Sequence, residues 1–187
     1  PLALFSAEWL TNRFDMQPIV LIRHPAAFAA SLKKKDWGFR FQNFLDQPQL
    51  IKDHLMIFED EIRIFAKEKH SIIEQACLLW RIFYFMVYKY KLSHEDWCFV
   101  RHEDLSKKPL VEYEKLYNYL DLNFTKEVEK TIKTHSEPPQ DQESLIKRNS
   151  KDNIYSWKKR LSSEEIVYIK KHVSDISPYF YSEEDWG

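Results

Sequence analysis

The sequence predicts an α/β fold built on a parallel sheet, and three observations carry that expectation. Two short apolar runs, residues 19–22 and 97–100, each end at an arginine, Arg23 and Arg101. Neither run alternates apolar with polar residues, so each reads as a parallel strand covered on both faces rather than a half-exposed antiparallel one. Long stretches of helical periodicity separate the two runs, and parallel strands need such crossovers.

Each element follows in order. Residues 2–14 place Leu2, Phe5, Trp9 and Leu10 on one helical face. Pro18 introduces the first strand, and after Arg23 and His24 a helix starts at Pro25. Proline is tolerated at the first helical position because the N–H it lacks would have no partner there. The alanine-rich residues 26–35 continue that helix. Residues 36–47 read as a polar and aromatic loop holding Gly38, followed by helices at 49–68 and 71–92. The second of these is apolar nearly all round, which marks it as the central core helix. After the second strand come His102, Glu103 and Asp104, then helices at 110–120 and 126–135. Residues 136–153 have two prolines and no periodicity, the character of a lid loop. Order resumes at 154–157, and Ser162 with Glu165 forms a capping box for a last helix over 164–173.

The chain has 187 residues, 44% of them apolar and 16% aromatic, with a formal net charge of -1, which predicts one domain with an ample core. It has only two glycines, and Gly38 is the only internal one. Neither G-x-x-x-x-G-K-[ST] nor G-x-G-x-x-G can be written with one glycine, so phosphate chemistry by these residues has to use side chains and helix ends. No segment reaches the roughly 18 apolar residues of a membrane span, and none resembles a secretory leader, so a cytoplasmic location is expected. The chain opens on Pro1 with helical spacing starting at once at Leu2, as in a chain that begins inside a larger protein. Cys77 and Cys98 lack C-x-x-C spacing and read as reduced core residues. The seven histidines show no zinc-binding spacing, so no metal is expected. The near-neutral charge argues against nucleic acid.

Ligands of parallel sheets bind beyond the carboxyl ends of the strands, where Arg23 lies directly before a helix. The positive end of that helix favours an anion, and Ser31 follows within it, among four alanines that would let a ligand near the backbone. An arginine fork and a hydroxyl suit a dianionic phosphate. The alternative is that Arg23 pairs with a carboxylate, Ser31 is solvated and the alanines only pack. Between residues 147 and 160, six basic residues face Asp152 alone, either an anion-binding lid, an RNA- or membrane-facing patch interleaved with Tyr155 and Trp157, or a solvated surface. His102, Glu103 and Asp104 can supply an acid or base near the ligand, or cap a turn and orient backbone. Trp37, Phe39, Phe41 and Phe44 either line an apolar or sugar-stacking pocket or pack on the core.

The run PIVLIRHPAAFAASL at residues 18–32 resembles the 3′-phosphate-binding segment of sulfotransferases that use 3′-phosphoadenosine 5′-phosphosulfate (PAPS). In that family a hydrophobic strand ends in R-x-P, with a serine eight residues after the arginine. CFVRHEDLSKKPLVEYEKLYNYLDL is similar to the family's second strand, E-D-L turn and following helix, and RNSKDNIYSWKKRLSSEEI to its late cofactor-covering loop. The resemblance implies a P-loop-NTPase-like parallel sheet flanked by helices, helix-rich and incomplete at its N-terminus. It implies that Arg23 and Ser31 hold the 3′-phosphate, that Arg148 closes over it, and that Trp157 and Lys158 anchor the lid. The activity implied is sulfuryl transfer from PAPS to a hydroxyl or amine of a small-molecule, lipid or carbohydrate acceptor. The chain departs from the family in lacking the P-K-[ST]-G-[ST] turn that grips the 5′-phosphosulfate. Its residues match the C-terminal two thirds of such a domain, and a catalytically inactive nucleotide- or protein-binding module is the alternative.

Overall fold

The computed structural model describes residues 2–136 and 154–187. It is a helix-rich mixed α/β structure with one small parallel sheet. A 3-10 turn, Leu2–Ser6, leads into α1, Ala7–Phe14. Strand β1, Ile19–Ile22, pairs in parallel with β2, Cys98–Arg101, with Ile19 opposite Cys98 and Ile22 opposite Arg101. Both strands stand where the apolar runs place them. Their coverage differs from that of a fully enclosed sheet: Ile19 and Leu21 are exposed, whereas Ile22 is buried. Among the described residues the outer edge of β1 has no partner strand.

Helix α2, Pro25–Lys35, begins at the proline as expected. Ala26, Ala27, Ala29 and Ala30 are buried, and small side chains there let α2 lie close against α6, Ile72–Ser93. Serine 71 caps α6 in a capping box with Glu74, so the long central helix starts with its first free N–H groups satisfied. Three buried clusters form around α6, the smallest made by Met86, Tyr90 and Trp97. On one side Trp80, Tyr84 and Ala76 meet the alanines of α2 and the C-terminal residues Trp157, Phe180 and Trp186. On the other, Leu78, Leu79 and Ile82 meet Phe41, Phe44, Leu55 and Ile62.

The stretch expected as one helix over residues 49–68 is wound differently. After the short helices α3, Gln42–Leu45, and α4, Pro48–Leu50, the chain makes a π-turn at Ile51–Leu55 and a 3-10 turn at Met56–Phe58 before α5, Glu59–Lys67. Ile51, Leu55, Phe58 and Ile62 are all buried, and their spacing fits an α-helix. The apolar pattern reports which face is inside but not how tightly the backbone winds. A single wide turn therefore leaves the pattern intact.

After β2 the chain forms α7, His102–Lys107, α8, Pro109–Tyr119, and α9, Lys126–Ser136. The Tyr119 hydroxyl donates to the Pro18 carbonyl at 3.1 Å, tying α8 to the start of β1. Helix α10, Ser163–His172, carries the expected capping box, with Ser162 Oγ accepting from Glu165 N–H and Glu165 accepting from Ser162 N–H. The remaining residues turn back over α2 and α6 in short 3-10 turns, without a periodic pattern that sequence reading could detect.

Candidate functional site

The β1–α2 junction is held from three sides. Arg23 N–H donates to the Tyr84 hydroxyl at 2.6 Å, and the Arg23 carbonyl accepts from Trp80 Nε1 at 3.0 Å, so α6 grips the residue by its main chain. His24 N–H donates to Glu103 Oε1 at 3.0 Å, and Glu103 Oε2 accepts from the Tyr181 hydroxyl at 2.9 Å. One buried carboxylate thus joins the junction, β2's continuation and the C-terminal segment. This is the orienting role weighed for Glu103, while Asp104 is engaged by Arg101 at 2.8 and 2.9 Å.

His24 closes the end of α2. Its Nδ1 accepts from Ala26 N–H at 3.2 Å, and its ring stacks on Trp157 with edges of Tyr181 and Trp186 against it. The helix end expected to meet an anion is therefore filled by a side chain of the protein. With Nδ1 accepting, the neutral ring carries its proton on Nε2, which is buried without a hydrogen-bond partner. Burial outweighs the attraction of Asp185, with Arg101 and Lys158 adding repulsion, and lowers the His24 pKa to about 3. The ring stays neutral at physiological pH.

The Arg23 side chain faces elsewhere. Arg23 and Ser31 line one open cavity of about 1070 Å³. Arg23 makes no ion pair among the described residues, and its Nε is buried without a partner. The Ser31 hydroxyl has no hydrogen bond among them either. Ser31 lies about 9 Å along the axis from Pro25, and helical side chains tilt toward the N-terminus. An anion shared by the two residues would lie on the flank of α2, not at its tip.

The cavity's floor is a row of rings running from α2 to the segment of residues 42–55. Phe28 contacts Phe83 at 6.4 Å, Phe83 contacts Phe5 at 6.2 Å, and Phe5 meets Phe44 at 6.2 Å and His54 at 6.4 Å. The expected aromatic loop divides: Trp37, Phe39 and Phe44 line the cavity, whereas Phe41 is buried in the core at 2% exposure. Two exposed carboxylates, Asp46 and Asp53, also line the cavity, each accepting from a neutral amide, Gln42 Nε2 at 2.8 Å and Gln49 Nε2 at 2.7 Å. Asp53 and His54 stand on the π-turn, and His54 Nδ1 is another buried nitrogen without a partner. Neither the carboxylates nor His54 carries a motif spacing, so pattern reading passes over them.

Of the remaining expected site residues, Arg148 lies outside the described residues, as do residues 137–153 of the expected lid. Trp157 is described and buried, and the Lys158 ammonium lies 5.0 Å from the Tyr155 ring and 5.5 Å from that of Trp157. Burial pushes the Cys77 thiol up to about 12, which leaves it unreactive. Among the described residues no three His, Cys, Asp or Glu side chains come together as a metal site, and no helix is long and apolar enough to cross a membrane. No family model, curated protein or solved structure matches the chain.

Proposed function

We propose that this chain supplies the 3′-phosphate-binding half of a PAPS-dependent sulfotransferase site. One observation carries the reading. Arg23, a cation without an ion pair among the described residues, shares a cavity with the Ser31 hydroxyl, which has no hydrogen bond among them, at the spacing that resembles the family's phosphate segment. A guanidinium with a buried, unsatisfied Nε carries a desolvation cost that a bound phosphate oxygen would offset. The parallel β1–β2 pair is compatible with a P-loop-NTPase-like sheet, and the outward Ile19 and Leu21 beside the open edge of β1 offer a surface for further strands.

In the transfer itself the acceptor oxygen or nitrogen forms a bond to sulfur in line with the bridging oxygen. The sulfur–oxygen bond to the 5′-phosphate breaks, its electron pair leaves with 3′-phosphoadenosine 5′-phosphate, and the acceptor releases its proton to a base. These residues contribute binding and positioning to that step. Arg148 would add a second charge on the 3′-phosphate.

Calorimetric titration with 3′-phosphoadenosine 5′-phosphate tests the assignment. A charge-assisted contact contributes about 1–3 kcal/mol, so Arg23→Ala weakens binding about tenfold or more and Ser31→Ala about threefold. Equal affinity in the wild type and Arg23→Ala overturns it. A second reading is a nucleotide-binding module without catalysis. Arg23-dependent nucleotide binding without sulfuryl transfer to any acceptor would select it.

A further inference from the structure

We infer that the carboxylates lining the cavity recognise an organic ammonium group, so that the acceptor is a cationic amphiphile with an aromatic or alkyl body. The inference rests on the proposed function for the place of the nucleotide, and on the cavity's own chemistry for the rest.

Among the described residues the Asp, Glu, Lys and Arg side chains lining the cavity are Arg23, Asp46 and Asp53. Both carboxylates are satisfied only by neutral glutamine amides, and no cation of the protein among the described residues is paired with either. Phe5, Phe28, Phe44 and Phe83 give the cavity an apolar floor of edge-on and tilted ring contacts, and Ser6, Asn43 and Gln47 line it beside the rings. Trp37 lines the same cavity and is 64% exposed, so the face of a large π-system is open to a cation, and tryptophan is the best such partner. An apolar body on the phenylalanine floor with an ammonium group near Asp46, Asp53 and Trp37 meets all of these features. A neutral alcohol meets the floor and polar side chains but gains nothing from the carboxylates, and a carboxylate is repelled by Asp46 and Asp53.

The same charges predict the sign of coupling to the nucleotide. With a phosphate dianion on Arg23, the one arginine or lysine lining the cavity among the described residues is neutralised and the site becomes more negative. Bound nucleotide and bound amine therefore strengthen one another.

The test uses the 187-residue chain and three probes of one shape: 2-phenylethylamine, 2-phenylethanol and 3-phenylpropionate, with glucose as a fourth, titrated by amide NMR. The amine is expected to bind about fivefold or more tightly than the alcohol, and the carboxylate most weakly. Asp46→Asn and Asp53→Asn, both at exposed positions, are expected to remove the preference together while leaving the alcohol's affinity unchanged. Saturating 3′-phosphoadenosine 5′-phosphate is expected to tighten the amine about threefold. Equal binding of amine and alcohol, a preference insensitive to both substitutions, tighter binding of glucose, or no binding of any probe overturns the inference. Amine binding that follows the two aspartates without any nucleotide binding sinks the sulfotransferase reading and leaves the ammonium site standing. Nucleotide binding without amine preference does the reverse.

Discussion

Replacing Glu103 by alanine should unfasten the β1–α2 junction, and the size of the effect can be worked from its bonds. Glu103 is 4% exposed and accepts from two donors, His24 N–H at 3.0 Å and the Tyr181 hydroxyl at 2.9 Å. The Tyr181 phenol is pushed well above its ordinary pKa, mainly by burial and then by Glu103, so it remains an O–H donor throughout the accessible pH range. Glu103→Ala leaves both donors buried without an acceptor, at about 1–3 kcal/mol each. The expected loss is about 4 kcal/mol, a large part of the roughly 5–15 kcal/mol that stabilises a domain. Glu103→Gln is the control. Its amide oxygen can accept from His24 N–H while its amide nitrogen donates to the Tyr181 oxygen, so the loss should stay near 1 kcal/mol. Urea unfolding followed by tryptophan fluorescence and far-ultraviolet dichroism measures both variants. An alanine variant within about 1 kcal/mol of the wild type, or a glutamine variant equally damaged, would refute the clamp.

Acid should destabilise the protein through His24. Its pKa in the folded state is about 3, against about 6.5 unfolded, so between those values the unfolded chain binds the extra proton. Stability is therefore complete above about pH 6.5 and falls as pH drops toward 3, with about 2 kcal/mol lost by pH 5. His102, also lowered mainly by burial, acts in the same direction. The difference between wild type and His24→Asn, whose side chain can still cap α2 but does not titrate, isolates the His24 part, and parallel pH profiles for the two would count against it. Asp15, Asp36 and Asp121 occupy left-handed backbone at φ 50°, 52° and 54°, where helices more often end on glycine. Asp15→Gly and Asp121→Gly together should raise stability by about 1 kcal/mol, and a lower urea midpoint for the pair would show that the aspartates stabilise those turns by other means.

Local features were legible in the sequence because their causes are local. The Ile19–Ile22 strand, the start of α2 at Pro25 and the Ser162–Glu165 capping box each depend on a few adjacent residues, and each stands where spacing placed it. The pairing of Arg23 with Ser31 on one surface was legible too, since a strand, a junction and two helical turns fix their relation. The π-turn at Ile51–Leu55 was not, because its buried side chains keep α-helical spacing. Nor were Asp46, Asp53 and His54, which come to line the same cavity as Arg23 only when the segment carrying them folds back on α6.

The sequence by itself determined the mixed α/β character, the parallel strands and the arginine-serine spacing, all of them set by backbone preference and short-range periodicity. Only the tertiary structure decided that His24, stacked on Trp157 and bonded to Ala26, fills the helix end where an anion was expected. It also decided that Arg23 lines a cavity together with two carboxylates that no cation among the described residues pairs with. Both outcomes depend on contacts between distant segments, as when Trp157 and Tyr181 cover a junction at residues 22–26. Such contacts follow from the burial of aromatic surface, which is non-directional and leaves no period in the chain.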